Sequence, residues 1–431
     1  MSSATLPDKA AGLAAYEELF SASERTGESE GVSDLRRSAL DRFLKQGFPT
    51  RRDEEWRQTN VAPIAKSQFA RGTGGSVTPS AELYDGCDHM VFVDGRLEIG
   101  LSAVPEGVDI RPLSEALAEG LPLGDLVPEE GHPFAAMNTA LFEDGLYVHV
   151  SEKAQMVRPL QVHFESTGQT TQGVSAVSFP RNLIVVERGG EGRVIETYSG
   201  AQGRAYMTNA VTEMHLGENA TLRHVKVMQE GDASYHMALQ SIRLERSANL
   251  HSIAVNQGGS LVRNDLRSLL DGEDIDCVLN GLVLGNEQRI VDNHLWMEHA
   301  KPNCYSHQLY KGVLADRSRA VFTGRIFVHQ EAQKTDAVQT NRNLLLSEAA
   351  IANSNPQLEI FADDVKCTHG STIGQLEDDA HFYLRSRGVD ADVAKGLLVY
   401  AFASEILQEI DLEPLRDSLE RILVHELASG V

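Results

Sequence analysis

Cysteine is scarce in this chain and never paired: Cys87, Cys277, Cys304 and Cys367 stand singly among 431 residues, with no Cys-x-x-Cys spacing. That scatter excludes a disulfide framework and a self-contained zinc or cluster site, both of which draw on closely grouped ligands. A free Cys packs as a small hydrophobe, so buried thiols are expected for most of the four. Long apolar runs are also missing. No stretch approaches the roughly 18 consecutive apolar residues that cross a bilayer, which excludes a membrane-spanning helix. Positive charge is in short supply, since 39 Lys and Arg against 62 Asp and Glu leave a net charge of −23. Such a balance repels phosphate backbones and anionic lipid, so neither nucleic acid nor a membrane surface is an expected partner. Signatures of nucleotide and hydrolase chemistry are absent too: there is no Gly-x-x-x-x-Gly-Lys-Ser/Thr loop, no Gly-x-Ser-x-Gly elbow and no His-Glu-x-x-His. The chain is therefore expected to have no ATP site and to be no enzyme, and any ATP-driven step must come from a partner. Met1 to Ala15 carries no continuous apolar core or cleavage-like site, and a cytoplasmic location is expected.

What is present divides into three parts, expected at 1–135, 136–375 and 376–431. The first is mixed helical and α/β. Leu13 to Phe20 and Leu35 to Phe43 carry apolar residues at helical spacing, with Ser33 or Asp34 placed to cap the second helix and a break at Gly47 and Pro49. Arg71 to Ser80, rich in Gly, Ser and Thr, reads as a flexible connection, and "HMVFVDGRLEI" reads as a hairpin turning on Asp94-Gly95. From Leu146 to His369 the pattern becomes a series of short β-type runs of four to seven residues. Segments from Gly217, Glu245 and Gly272 superpose on one template of polar turn, small or apolar residue and alternating apolar positions; weaker copies begin at Ser151, Gly189 and Arg317. Starts 28 and 27 residues apart, built only of strands, indicate a stacked coil in which each repeat buries its apolar face against its neighbours. The fold class expected is mainly β, a right-handed parallel β-helix flanked by an N-terminal helical region and a C-terminal helical domain; a sandwich or jelly roll is the alternative. In the last part, helices are expected over Glu377 to Arg387, stopping at Gly388, from Asp390 onward, and over Glu413 to Leu427. The middle one is apolar around much of its circumference and has to pack on neighbours or on another protein.

A coiled stack has two ends, and an uncovered last coil offers unpaired strand edges to another chain. The last coil here is Pro356 to Gly374. Within it Cys367 and His369 lie two residues apart, so on a strand both side chains leave by one face. A thiolate and an imidazole sharing a face can ligate a soft or borderline metal, yet two ligands are fewer than the roughly four of a closed site, so something else must complete it. A second group of ligand-type residues, His294, Glu298, His299, Cys304 and His307, is richer, but Pro302 interrupts it and its spacing matches no zinc signature. Scattered acidic residues leave a carbohydrate-active β-helix enzyme as a weaker alternative, with no carboxylate pair singled out.

The run "NRNLLLSEAAIANSNPQLEIFADDVKCTHGSTIGQLEDDAHFYLRSRGV", Asn341 to Val389, resembles the C-terminal signature of the SufB/SufD family of iron-sulfur cluster assembly proteins. The segments "SHQLYKGVL" and "AVFTGRIFVHQEAQKTDAVQTNRN" resemble the family's β-helix region, and "GFPTRRDEEWRQT" is similar to its N-terminal motif except at Gln58, where an aromatic residue is usual. "KCTHGSTIGQL" looks like the SufD branch rather than the "HEA"-type sequence of the SufB branch. The resemblance implies a SUF-system scaffold that pairs with a SufB-like paralogue through the β-helix and docks a SufC-like ABC-type ATPase through its C-terminal helices. It further implies that His369, with Cys367 in the same motif, takes part in building a transient iron or iron-sulfur cluster site at the partner interface. Phe382, Tyr383, Arg385 and Arg387 become the expected ATPase-docking residues. A homodimer without partners, or a SufB-like homodimeric scaffold, is the alternative within the family.

Overall fold

The computed structural model describes residues 6–22, 28–74, 80–101, 106–128 and 130–428. The polar turns that open the sequence templates are what coil the chain. Each holds one residue at positive φ, Asn219 at 58°, Ser247 at 57° and Asp274 at 58°, and the same corner recurs at Lys153, Gly189, Asn303 and Lys334. Left-handed backbone is tolerated by Gly and by short polar side chains that bond locally; Lys153 and Lys334 hold it in the same stack. The corner N–H groups donate to the next turn: Asn219 to the Arg246 carbonyl, Ser247 to Glu273, Asp274 to Pro302, Asn303 to Gln333 and Lys334 to Asp364. Superposed corners bring successive strands into parallel register. Thr221 aligns with Asn249, Asn249 with Asp276, Asp276 with Tyr305, Tyr305 with Asp336 and Asp336 with Lys366, steps of 28, 27, 29, 31 and 30 residues.

The result is a parallel β-helix of about seven turns with helices at both ends of the sequence. The chain alternates between a ten-stranded and an eleven-stranded sheet, so every turn contributes a strand to each. Five of the six sequence templates lead into the ten-stranded sheet; the one from Arg317 enters the other, at Arg319–Val328. From Glu191 to Gly374 the strands run eight to eleven residues, longer than the four to seven expected. Polar residues at inward positions break the apolar alternation and make each strand look shorter in sequence than it is.

At the N-terminal end each sheet finishes on an antiparallel strand, Arg96–Ile99 beside Asp88–Val93 and Val108–Pro112 beside Leu146–Val150. The hairpin turns at Asp94 (φ 47°) and Gly95 (φ 82°), as the Asp-Gly pair predicts. Of the segment read as a flexible connection, residues 75–79 lie outside the described residues. Its flanks are tied down, Thr73 N–H to the Gln169 carbonyl, Gly74 N–H to Asp94 and Ser80 N–H to Glu165.

Two helices, Leu6–Ser21 and Glu30–Gln46, precede the β-helix. The second begins earlier than expected. Ser29, not Ser33 or Asp34, caps it by accepting from the Val32 N–H, while Asp34 lies inside the helix and pairs with Arg37. Its end at Gly47 (φ 67°) is as read. Tyr16, Phe43, Phe48, Trp56 and Phe134 form an aromatic cluster that packs with Met207, Met237 and Leu261 on the outer face of the eleven-stranded sheet. The Arg263 guanidinium lies 3.8 Å over the Trp56 ring and donates to the Glu55 carbonyl, to Asp292 and to both oxygens of Asp265. Gln58, where the family motif has an aromatic, accepts a 3.0 Å hydrogen bond from Arg319. The bond is a polar tie between the N-terminal segment and the β-helix. Helix Pro133–Leu141 spans position 135, and Phe69–Arg71 and Asp88–Val93, upstream of it, already pair with β-helix strands.

Candidate functional site

The C-terminal end of the β-helix is open. Its last turn consists of Ile351–Ile360, the edge of the eleven-stranded sheet, and Lys366–Gly374, the edge of the ten-stranded one. In register, Cys367 lies beside Ala337 and His369 beside Gln339. Both of those neighbours are fully buried, because the next turn covers them. Cys367 and His369 therefore occupy the inward-facing positions of a turn over which, among the described residues, no further turn is laid. Cys367 is half-buried against the core and His369 is exposed. Burial pushes the Cys367 thiol up, and Asp336 adds to the shift against a backbone hydrogen bond from Ala337, so binding a metal would have to displace its proton. Gln339 donates to the Gln308 side-chain carbonyl at 2.7 Å, leaving its own Oε1 buried without a partner at the register position of His369. Around the rim Ile351, Ile360, Phe361 and Ile373 are exposed, Phe361 by 60%. Among the described residues no three His, Cys, Asp or Glu side chains come close enough to hold a metal ion. A face of this kind presents a thiol and an imidazole, donor types that suit a soft or borderline metal but number two fewer than a closed four-ligand site.

Three helices follow. Asp378–Ser386 starts at Glu377 and stops before Gly388 (φ 88°), Ala391–Leu407 is capped by the Asp390 carboxylate accepting from the Asp392 N–H, and Glu413–Ala428 closes the layer. The middle helix, apolar on most sides, divides its surface. Val399, Ala403, Ile406 and Leu407 pack with Leu282, Leu309, Val313 and Leu344 on the outer face of the ten-stranded sheet. Val393 and Leu397 remain exposed, as do Phe382 (73%) and Tyr383 (58%) on the preceding helix, which buries no residue. Arg385 and Arg387 are exposed beside them, with the Arg387 guanidinium 5.3 Å from the Tyr383 ring centre. All four residues expected to dock the ATPase are thus solvent-accessible on one short helix and its C-cap.

The second ligand-type group is not brought together. His294 and Glu298 sit on the outer face of the eleven-stranded sheet, where Glu298 bonds His329 at 2.7 Å and His294 lies 3.3 Å from Asp292. Cys304 donates to the Gly272 carbonyl, and His307 belongs to the other sheet. His299 is enclosed, with Nε2 at 2.9 Å from Ser306 Oγ and Nδ1 unpartnered, and burial pushes its pKa down to about 4. As pH falls below about 6.5 the unfolded chain takes up this proton first, so stability is full above 6.5 and is lost toward pH 4, by about 3 kcal/mol. A His299→Gln variant is expected to flatten that part of the stability profile, measured as urea midpoints between pH 7.5 and 4.5. Equal slopes for variant and parent would assign the acid sensitivity to other groups.

Sequence reading missed a buried polar network inside the β-helix. The Glu196 carboxylate accepts from Tyr198 at 2.7 Å and lies 3.3 Å from His224; Lys226 bonds His236 and Asn264, each at 3.1 Å, and His236 bonds Glu230 at 2.9 Å. Burial raises Glu196, but the His224 hydrogen bond, the His224 and Lys226 charges and the Tyr198 hydroxyl outweigh it and draw it down to about 2. Burial pushes Lys226 down to about 8 against the pull of Glu196 and Glu230. Alternation holds the signal: in "LRHVKVM" His224 and Lys226 share a face with Leu222 and Met228, and two ionisable groups on an apolar face need internal partners.

The chain matches the family model for the SUF system FeS cluster assembly SufBD core domain over residues 167–402 and that for the SufBD protein N-terminal region over 13–76. It is similar to the iron-sulfur cluster assembly protein SufD of Escherichia coli (strain K12), 32% identical over 433 residues that cover 99% of each chain. An iron-sulfur cluster assembly SufBD family protein of Synechocystis is 31% identical, with 90% of this chain and 89% of that one covered. A chloroplastic protein of Arabidopsis thaliana is also 31% identical, with 89% and 83% covered.

Proposed function

Because the chain belongs to the SufBD family of the SUF iron-sulfur cluster assembly system, we propose that it is the SufD-type, non-catalytic scaffold subunit of a cytoplasmic SUF complex. Its three parts, 1–135, 136–375 and 376–431, serve as a brace, an assembly body and a motor-docking layer. The open end of the β-helix pairs with a SufB-like paralogue, whose residues complete the ligand set that Cys367 and His369 begin. Iron or a nascent cluster is the cargo at that interface. A SufC-like ATPase docks on the C-terminal helices and supplies the ATP-driven step that this chain has no motif for. The observation that carries the reading is the uncovered last turn, which combines free strand edges, exposed apolar rim residues and a thiol-imidazole pair on one face.

The docking half is tested on the exposed helix. Replacing Phe382 and Tyr383 together with Ala removes the largest exposed apolar surface there. A single aromatic anchor commonly carries about 2 kcal/mol or more, so with even one of the two acting as an anchor, ATPase affinity measured by titration calorimetry is expected to fall at least ~30-fold while the chain stays folded. Unchanged affinity would move the ATPase to another surface. The same open edges also suit a second copy of the chain, a homodimeric alternative when the paralogue is withheld.

A further inference from the structure

Lys311 is a lysine on the outer face of the ten-stranded sheet, only 3% exposed, and its ammonium is satisfied entirely by the helix Ala391–Leu407. Nζ donates to the Phe402 carbonyl at 2.7 Å and to the Glu405 carboxylate, and lies 4.7 Å from the Phe402 ring centre. In register, Lys311 on strand Tyr305–Leu314 aligns with Arg342 on strand Asp336–Leu345, and Arg342 aligns with Thr372 on the edge strand that carries Cys367 and His369. Arg342 Nη1 is 3.7 Å from the same Glu405 oxygen. One carboxylate on the C-terminal helical layer thus grips two adjacent strands, the second of them hydrogen-bonded to the open edge. The hydrogen bond from Lys311 is the chief reason the Glu405 carboxyl is held below its ordinary range, against its partial burial.

The other ionic ties between this layer and the rest of the molecule lie farther from the open end, among the described residues. Arg223 meets Asp411 at 3.2 Å, His251 lies 3.9 Å from Glu409, and Arg421 and Ser418 both bond Glu82. None of these reaches the last three strands of the ten-stranded sheet.

We propose that Glu405 is a positioning residue that couples the C-terminal helices to the open end of the β-helix, setting the order of the strand that bears Cys367 and His369. The use of this coupling, transmission of an ATPase stroke to the cluster-building face, rests on the function proposed above; the coupling itself does not. Movement of the helix Ala391–Leu407 draws on Lys311 and Arg342 together, and through Arg342 on the backbone ladder to Lys366–Gly374.

The test is amide hydrogen exchange on the isolated full-length chain, comparing the parent with Glu405→Gln and Glu405→Asp, and with Glu409→Gln as a tie distant from the open end. Glu405→Gln is expected to speed exchange about three- to fivefold in 336–345 and 366–374, the range that loss of a half-exposed ion pair produces, with no change in Glu191–Gly200. Glu405→Asp should restore most of the protection, and Glu409→Gln should leave both segments unaltered. Unchanged exchange in the two segments, or a uniform rise over the whole chain, overturns the proposal by making Glu405 inert or a general stabiliser. No partner protein enters the measurement, so its failure leaves the scaffold reading standing, and failure of a complex to form leaves the exchange result standing.

Discussion

A His369→Ala variant is expected to assemble with its partners as the parent does and to lose cluster maturation. The imidazole is exposed at the open turn, away from the packed interior, so its removal should not lower stability measurably. If it supplies one of the two ligands this chain contributes, the loss should exceed the ~10- to 100-fold that removing even an outer partner of a metal ligand costs. Recovery of activity by a recipient iron-sulfur enzyme, with complex mass checked in parallel, measures both quantities. Maturation within twofold of the parent would remove His369 from the mechanism. A Cys367→Ser variant tests the neighbouring thiol, and its half-buried position makes a small stability loss part of the expected result.

The second large effect is structural. Arg181 and Glu213 are both fully buried and pair at 2.5 Å, and Arg181 also donates to Asn138 and Thr139 on the helix Pro133–Leu141. Glu213 in turn accepts the Gly124 and Leu126 N–H groups. This pair pins a helix and a loop of the N-terminal part to the β-helix. Arg181→Met strands a carboxylate in the interior, and removal of one partner from such a pair costs about 3–5 kcal/mol. The urea midpoint should fall accordingly. In a double-mutant cycle, adding Glu213→Leu should recover only part of the loss, because the two loop N–H groups then have no acceptor. A loss under about 1 kcal/mol for the single variant would show that the carboxylate finds water or protonates without consequence.

Much of this architecture is written in the turns. Asn219, Ser247 and Asp274 stand in the polar segments that mark each repeat, and their positive φ is what stacks the corners. The template spacing of 28 and 27 residues equals the strand register, because both count one full turn of the coil. The second strand of each turn was harder to read. Tyr206–Leu216, Tyr235–Leu244 and Leu261–Leu270 direct Thr212, His236 and Asn264 inward, where a bonded network satisfies them, and a pattern search for alternating apolar residues passes over such strands. Local capping misled in the same way, since Ser33 and Asp34 are as good as Ser29 by residue type and only packing decides where the helix begins. The shared face of Cys367 and His369 was legible because the period of a strand is two. That their turn is the last one, and so uncovered, followed from the return to helical sequence after Gly374. The Glu405 tie was not legible, because it depends on how a helix lies across a sheet. Lys311 and Glu405 are 94 residues apart.

The scaffold account depends on assembly with two other proteins, and the direct measurement is co-expression with SufB-like and SufC-like partners followed by size-exclusion chromatography with mass determination. The account predicts one stable species containing all three proteins, with the paralogue lost when the open edge is blocked and the ATPase lost when Phe382 and Tyr383 are replaced. A chain that elutes alone beside well-folded partners would contradict it.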